Sequence, residues 1–255
     1  MVLILLPPSE GKTPAPSGPA VDLGSLSFPQ LEVARKEALE ALAEVSGRED
    51  ALEVLGVGPS LAHDVERNRR LATEPAAPAH AVYSGVLYEA LGYAGLTPAQ
   101  RRRADDWVVV VSALWGAVGF ADRVPAYRLS MSAALPGLGR LASYWKPLLA
   151  EALAKRAAGE LVVDCRSSTY AAAYAPPPAA TVTVDVFRER NGKRSVVSHF
   201  AKHHRGDLVR HLLTRRGKAP ATPEALLAAA AEKWEAELVP GTARRPHSLA
   251  LVLRD

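Results

Sequence analysis

The segment VLILLPPSEGK, residues 2–12, joins a continuous apolar run to a polar cluster. Five consecutive apolar residues predict a short strand that is buried on both faces. The two prolines that follow end the strand and begin a loop. Loops at the ends of strands form the binding sites of α/β proteins, so Ser9, Glu10 and Lys12 are the first candidate site residues.

The same order, an apolar run and then a polar cluster, recurs further along the chain. A polar cluster at Tyr83–Tyr88 follows a Pro- and Ala-rich stretch. The other runs and clusters are Trp107–Val111 with Ser112–Gly116, Leu161–Val163 with Asp164–Tyr170, and Val196–Val197 with Lys202–Gly206. We therefore expect these loops to meet in one polar cleft rich in Ser, Tyr, Lys and Arg.

Periodicity predicts strands that alternate with helices, with a hairpin at Asn191-Gly192. The predicted strands are residues 2–6, 107–111, 161–163, 181–188, 193–200 and 248–253, with a strand or turn at 81–86. The predicted helices are residues 31–46, 51–55, 60–71, 87–91, 97–105, 137–157, 198–213 and 223–238. This order indicates an α/β or α+β fold in which helices flank a mixed sheet, and a single domain over residues 1–255.

Composition restricts the class of protein more than its function. Of 255 residues, 48% are hydrophobic and 23% are charged, which is typical of a soluble globular protein. The net charge of +4 and the pI near 9.3 are compatible with a polyanionic partner and equally with simple solubility. Cys165 is the only cysteine, so no disulfide forms within the chain. We expect a cytoplasmic protein without a membrane partner, because the first apolar run is too short to span a bilayer.

Gly56-Val57-Gly58 separates two predicted helices and gives residues 48–72 the form of a helix-hairpin-helix element. Two glycines allow a backbone to approach a phosphate closely. This interpretation makes Gly56, Gly58, Ser60 and Arg67 candidate DNA-binding residues, and their contacts would be independent of base sequence. The alternative is a tight helix connection in which Gly56 ends one helix and Pro59 begins the next.

Lys202 and Arg205 stand three residues apart on a predicted basic helix, so both lie on one face. That face suits an anion such as phosphate, whether it belongs to DNA or to a small ligand. A solvated helix surface is the alternative.

The sequence thus yields ten candidate residues for an anion-binding cleft. They are Ser9, Glu10, Lys12, Tyr83, Tyr88, Arg128, Ser167, Tyr170, Lys202 and Arg205. Four of these are candidate catalytic groups, since a lysine near a hydroxyl serves acid–base chemistry: Lys12, Tyr83, Ser167 and Lys202. The alternative is a buried hydrogen-bond network that fixes loops onto the sheet.

The histidines and the cysteine are weaker candidates. His199 and His203 are four residues apart on a predicted helix, a spacing that can chelate a metal, but no acidic ligand was found at a matching spacing. We predict neither a metal site nor a cofactor. Cys165 follows an apolar strand, where a thiol is usually inert, with Arg166 beside it as the one indication of thiolate stabilisation.

The ordered set of motifs resembles the YaaA peroxide-stress family along nearly the whole chain. The matching residues are Leu5–Thr13, Tyr83-x-Gly85-x-x-Tyr88, Ser112-x-x-Trp115-Gly116, Pro125-x-Tyr127-Arg128-Leu129-x-Met131, Trp145, Ser167-x-x-Tyr170 and Lys202-x-x-Arg205-Gly206. The resemblance implies an unusual α/β fold, protection from hydrogen peroxide with less DNA damage, and DNA binding through a positively charged cleft and a helix-hairpin-helix. The chain departs from the family where many relatives carry an acidic residue just before the tyrosine at Tyr170. It also adds Glu10 beside Lys12.

Two hypotheses follow. The first is a cytosolic stress protein that binds double-stranded DNA with little sequence preference, through Gly56, Gly58, Lys202 and Arg205. The second is an enzyme that acts on a small anionic substrate, such as a nucleotide or an amino-acid derivative, in the predicted cleft.

Overall fold

The protein is represented by a computed structural model, which describes residues 2–190, 193–197 and 200–254. Within these ranges, eight strands form the main sheet. They are β1 (Val2–Leu6), β3 (Val108–Ser112), β4 (Gly116–Gly119), β8 (Leu161–Asp164), β9 (Thr181–Arg190), β10 (Lys193–Val196), β11 (Glu235–Val239) and β12 (His247–Arg254). Two small pairs complete the strands: β2 (Ala77–Pro78) with β5 (Arg123–Val124), and β6 (Ala134–Leu135) with β7 (Gly139–Arg140).

The strand order is β11-β12-β9-β8-β1-β3-β4, and β10 pairs with β9 beyond the end of β8. The strands from β12 to β3 run parallel to one another. The outer strands β4 and β11, and the short β10, are antiparallel to their neighbours. The sheet is therefore mixed, and the predicted α/β class is confirmed.

The described helices surround this sheet. They are α1 (Glu32–Ser46), α2 (Ala51–Val54), α3 (Ala62–Asn68), α4 (Ala79–Val82), α5 (Val86–Leu91), α6 (Pro98–Trp107), α7 (Leu141–Ala157), α8 (Ser168–Ala171), α9 (Ala201–Thr214) and α10 (Pro223–Ala231). Every residue of β1 and β3 is buried, which explains why these central strands have apolar runs rather than an alternating pattern.

Two local features place the helices that matter for the site. Helix α9 packs against α5 at Gly206, where a Cβ atom would lie 2.1 Å from the carbonyl oxygen of Leu87. Only glycine allows this approach, so the first turns of α9 are held close to α5. On the other side, the indole Nε1 of Trp145 in α7 donates to the carbonyl of Ala113 at 2.7 Å and fixes the turn after β3.

Several boundaries differ from the predictions. Residues 81–86 were expected to form a strand or a turn, but α4 covers Ala79–Val82 and α5 begins at Val86. The helix expected over 137–157 begins only at Leu141, because Gly137 and Gly139 take positive φ angles in the turn between β6 and β7. The predicted helix over 60–71 shortens to α3 after a tight turn at Pro59–Leu61.

The largest error concerns the predicted helix over residues 223–238. Helix α10 ends at Ala231, and Glu235–Val239 forms β11 instead. In β11, exposed and half-buried residues alternate, which is the two-residue period of a strand. The predicted hairpin between β9 and β10 is present, whereas its turn at Asn191-Gly192 and residues 198 and 199 lie outside the described residues.

Within the described ranges, no helix combines the length and the apolar character needed to cross a lipid bilayer.

Candidate functional site

The site begins where two neighbouring parallel strands end. Leu5 of β1 pairs with Asp164 of β8, and the N–H of Cys165 donates to the carbonyl of Leu5 at 2.9 Å. The loops that follow β1 and β8 therefore leave the sheet side by side. The predicted convergence of polar loops at the carboxyl ends of parallel strands is present here.

These loops form one wall of a cavity of about 600 Å³, which we call the cleft. Further walls come from residues 54–57, from the segment that follows Tyr127, and from the beginning of α9. Eight of the ten predicted cleft residues line it: Ser9, Glu10, Lys12, Arg128, Ser167, Tyr170, Lys202 and Arg205. A cavity of this size matches the usual volume of a small-molecule site.

Lys12 is partly buried in the cleft wall. Its Nζ donates to the carbonyl of Ser9 at 2.7 Å and to that of Glu10 at 3.4 Å, and it lies 4.2 Å from the centre of the Tyr127 ring. Burial, assisted by the positive charge of Arg128, lowers the pKa of Lys12 to about 7, against the opposing effect of Asp64 and Glu10. Lys12 thus exists partly as a neutral amine near neutral pH.

Backbone contacts fix the position of Lys12. Lys12 forms an isolated antiparallel bridge with Tyr83, and the next residue, Thr13, donates its N–H to the carbonyl of Val82 at 2.8 Å. The hydroxyl of Ser9 donates to the carbonyl of Gly11 and accepts the N–H of Ser84 at 2.9 Å. The Ser9 hydroxyl therefore holds the loop in shape as well as lining the cleft.

Arg128 reaches the same loop from the opposite wall. Its Nη1 donates to the carbonyl of Glu10 at 3.1 Å. The buried side chain of Asn68 binds the backbone of Arg128 from both sides, accepting its N–H at 2.9 Å and donating to its carbonyl at 2.8 Å. Asn68 was not among the predicted site residues, and only its position in a run of arginines, Arg67-Asn68-Arg69-Arg70, sets it apart in the sequence.

Lys202 and Arg205 lie in the first turns of α9. Arg205 donates from Nε to the carbonyl of Val184 at 2.9 Å and from Nη1 to that of Arg166 at 3.4 Å, so it is anchored to the sheet. Lys202 is exposed at the cleft. In the part of the chain that the structure describes, neither residue forms an ion pair.

The loop after β8 contributes Ser167 and Tyr170. Burial raises the pKa of Tyr170 to about 12, so its phenol stays protonated at neutral pH. Beneath them, Arg166 forms a buried ion pair with Asp164, at 2.6 Å between Nη2 and Oδ2, and donates to the carbonyls of Tyr170 and Tyr174. Asp164 and Arg166 thus support the loop from inside.

Cys165 also reaches the cleft, but its thiol is buried. Burial raises the pKa of Cys165 to about 12, which keeps the thiol protonated and inert. Arg166 was the one indication of thiolate stabilisation, and its guanidinium is instead engaged by Asp164.

Tyr83 and Tyr88 do not line the cleft; they lie beside a second cavity of about 490 Å³. The hydroxyl of Tyr127 lies 3.3 Å from that of Tyr83 and 2.7 Å from Ser112 Oγ, and Tyr88 donates to the carbonyl of Pro7 at 2.7 Å. Burial raises the pKa of Tyr83 and of Tyr88 well above the usual range of a phenol. We call these four residues, Tyr83, Tyr88, Ser112 and Tyr127, the tyrosine cluster.

The candidate DNA-binding residues lie in the turn between α2 and α3. Gly56 has a φ angle of +64° and lines the cleft, and no atom lies within 4 Å of a Cβ placed at Gly56 or Gly58. Within the described residues, the N–H groups of Gly58 and Ser60 donate to no carbonyl. Arg67 is engaged by Asp64 at 2.7 Å.

One group of possible metal ligands lies on α9. Ligand atoms of His203, His204 and Asp207 lie within 4.8 Å of one another. Asp207, which was not among the predicted ligands, stands four residues after His203. His199 lies outside the described residues. The ammonium group of Lys233 lies 3.3 Å from the Asp207 carboxylate and competes with a metal ion for it.

Fold and site together define a class: a mixed α/β protein with a polar cleft at the carboxyl ends of its parallel strands. The family model described as "Peroxide stress protein YaaA" matches residues 2–237. The chain belongs to this family.

Related bacterial proteins align with the chain over most of their length. The chain is 44% identical over 262 residues to a UPF0246 protein of Streptomyces coelicolor, an alignment that covers 100% of this chain and 99% of that protein. It is 41% identical over 227 residues to a UPF0246 protein of Corynebacterium efficiens, with 88% and 89% covered. A UPF0246 protein of Paracidovorax citrulli is 30% identical over 232 residues, with 86% and 88% covered.

Proposed function

We propose that the cleft binds a ligand whose negative charge is carried by phosphate groups. The observation that carries this proposal is the imbalance of charge around the cavity. Lys12, Arg128, Lys202 and Arg205 line it, and Glu10 is the one carboxylate among the lining residues. Across the described chain, none of these four cations has a carboxylate within ion-pair distance.

Backbone carbonyl oxygens accept hydrogen bonds from Lys12, Arg128 and Arg205, but a carbonyl does not neutralise a positive charge. Arg128, Lys202 and Arg205, together with the fraction of Lys12 that is protonated, therefore create a positive potential in a confined space. A doubly charged phosphate lowers that electrostatic free energy and accepts hydrogen bonds from guanidinium and ammonium groups. Hydroxyl donors from Ser167, Ser130 and Ser132 stand in the same wall.

Calorimetric titration with inorganic pyrophosphate tests this proposal. Replacing Lys202 with Gln removes an exposed charge at the cleft, and we expect binding to weaken about tenfold, which corresponds to ~1.4 kcal/mol. Lys155 is an exposed lysine on α7 and gives the matched control. Lys155→Gln makes the same change in net charge and should leave the affinity unchanged. Equal affinities for both variants would place the anion elsewhere.

DNA is the second candidate, and the position of the Gly56–Gly58 turn favours it. Residues 54–57 line the same cavity as Lys202 and Arg205, and the chain continues from there to the N–H groups of Gly58 and Ser60, which donate to no carbonyl in the described part of the chain. A phosphodiester backbone that leaves the cleft along this turn would meet them. Such contacts ignore base sequence and weaken steeply with salt. This agrees with the family's description as peroxide-stress proteins, for which the sequence resemblance implied DNA binding.

A duplex-binding assay at several salt concentrations separates the two candidates. In a variant that combines Gly56→Ala, Gly58→Ala, Lys202→Gln and Arg205→Gln, we expect the slope of log K against log salt to fall by about 2, because two phosphate contacts are lost. An unchanged slope together with weaker pyrophosphate binding would show that the cleft binds a small phosphate ligand and not DNA.

A further inference from the structure

Lys12 differs from the other cations of the cleft. Arg128 and Arg205 carry permanent charges, and Lys202 is solvated at the rim, whereas Lys12 is partly buried and still lines the cavity. Its Nζ has two hydrogen-bond acceptors, the carbonyls of Ser9 and Glu10. When the amine is neutral, its two N–H groups satisfy these two carbonyls, and the lone pair is the remaining position on the nitrogen.

We propose that Lys12 is a nucleophile that condenses with the aldehyde of a phosphate-bearing ligand in the cleft to form an imine. This inference rests on the proposed phosphate-binding function, since the cations around Lys12 hold the ligand's phosphate and leave its carbonyl carbon to the amine. A lysine that serves only to bind phosphate gains nothing from partial desolvation, which weakens its charge. A nucleophilic lysine requires desolvation.

The charges that face Lys12 decide how much of it is neutral. Arg128, on the segment packed across the loop, lowers its pKa, whereas Asp64 on α3 and the neighbouring Glu10 raise it. The face of the Tyr127 ring also favours the ammonium form. Burial outweighs these stabilising contacts and brings the pKa to about 7, so a large fraction of Lys12 carries a free lone pair at neutral pH.

The condensation balances without an oxidant or a metal. The lone pair of Nζ attacks the carbonyl carbon, a C–N bond forms, and the carbonyl π electrons move to oxygen, which takes up a proton. The nitrogen loses its first proton to give the neutral carbinolamine. The hydroxyl of the carbinolamine then takes up a second proton and leaves as water, while the nitrogen loses its second proton and the C=N bond forms. Amine and aldehyde thus become imine and water, and water in the open cleft supplies and accepts the protons.

Two sources present an aldehyde a short distance from a phosphate. One is an abasic site in DNA, whose open-chain deoxyribose carries an aldehyde between two phosphates. The other is a free sugar phosphate. Their shared chemistry fits the cleft, and two probes distinguish them: a duplex oligonucleotide with one abasic site, and glyceraldehyde 3-phosphate.

The full-length protein is incubated with each probe at pH 7 and sodium cyanoborohydride, which reduces an imine to a stable secondary amine. Intact mass and peptide mapping then locate the adduct. We expect one adduct per chain, on Lys12, and at least a tenfold loss of trapping in Lys12→Met, with no loss in Lys155→Gln. The probe that is trapped at the lower concentration identifies the source.

Peptide mapping of the wild-type protein keeps the test valid even where Lys12→Met folds poorly. Adducts spread over surface lysines, with no enrichment at Lys12, would overturn the proposal. Two analogues without an aldehyde, a duplex with a tetrahydrofuran site and glycerol 3-phosphate, distinguish phosphate binding in the cleft from nucleophilic attack by Lys12. If an analogue binds in the cleft and its aldehyde is not trapped, Lys12 is not a nucleophile. If neither analogue binds, the phosphate-binding function itself is wrong.

Discussion

The tyrosine cluster and the cleft lie next to each other and arise from the same kind of sequence, a polar motif at the end of an apolar run. In the tyrosine cluster, each hydroxyl has a partner within 3.3 Å and is shielded from solvent. In the cleft, no carboxylate within the described ranges lies at ion-pair distance from Arg128, Lys202 or Arg205. The position of the loops in the sheet brings polar groups together. Whether each group has a hydrogen-bond partner or a counter-charge within the protein then decides whether it supports the fold or binds a ligand.

The largest effect is expected in the closely packed region beside the tyrosine cluster. Gly116 has a φ angle of +67°, and a Cβ there would lie 2.7 Å from the ring of Trp145. Gly116→Ala combines left-handed backbone strain with a clash against a fully buried indole. We expect it to lower the free energy of unfolding by about 3–4 kcal/mol, as measured by urea denaturation.

Gly56→Ala is the matched control on the cleft side. Gly56 has nearly the same backbone angle, but no atom lies within 4 Å of its Cβ position. Only the strain remains, so we expect a loss of about 1–2 kcal/mol. Equal losses at Gly116 and Gly56 would contradict the contrast between a closed core and an open rim.

The next effect concerns the buried hydrogen-bond partners in the tyrosine cluster. Ser112 Oγ pairs with the hydroxyl of Tyr127 and accepts the N–H groups of Leu114 and Trp115, all of them buried. Ser112→Ala leaves the two N–H groups without a partner and removes one of the two partners of the Tyr127 hydroxyl, so it should lower the free energy of unfolding by about 2–3 kcal/mol. Ser130→Ala, at the exposed rim, should change it by less than about 0.5 kcal/mol. Comparable values would show that the tyrosine cluster is not the better-compensated region.

A smaller effect is expected from the one carboxylate in the cleft. Glu10→Gln removes the negative charge that opposes an anion, so pyrophosphate should bind about threefold more tightly in calorimetric titration. The substitution leaves the backbone carbonyl that accepts from Lys12 and Arg128 in place. Weaker binding would instead make Glu10 part of the binding machinery.

The last effect is the pH dependence that Lys12 imposes on stability, which builds up over several pH units. Its pKa falls from 10.5 to about 7 on folding, so between these pH values the unfolded chain binds more protons than the folded one. Stability of the wild type therefore rises with pH across this window. In Lys12→Met this contribution is absent. Between pH 7 and pH 9.5, the melting temperature of the wild type should rise relative to that of Lys12→Met. A constant difference between the two melting temperatures over this range would contradict the lowered pKa.

Much of the fold was predictable because its central strands have a simple physical cause. Val2–Leu6 and Val108–Ser112 are buried on both faces, so they are continuous apolar runs that few other structures accommodate. Residues 235–238 were predicted to continue the helix that begins at Pro223, since they follow a run of strong helix formers. Pairing with β12 overrides local propensity there, and no single-sequence pattern reveals that partner.

The site was predictable as a set of loops, but not in the roles of its side chains. Eight of the ten candidate residues line one cavity, and five of them do so because β1 and β8 end together. Whether Tyr83 faces the cleft or the core depends on its bridge with Lys12, and whether Arg205 is free depends on the carbonyl of Val184. These are contacts between segments far apart in sequence. Asn68, which holds Arg128 through two backbone hydrogen bonds, was missed for the same reason.

Strand β11 has a consequence for the behaviour of the protein at high concentration. Without β11, one edge of the eight-residue strand β12, which contains the apolar residues Leu249 and Leu251, would be free to pair with another exposed strand. Instead the outer strand alternates exposed Glu235 and Glu237 with half-buried residues, and these acids pair with Arg254 and Arg194. The sheet thus ends in a short charged margin that discourages edge-to-edge aggregation, and five residues between α10 and β12 protect the colloidal stability of the whole chain.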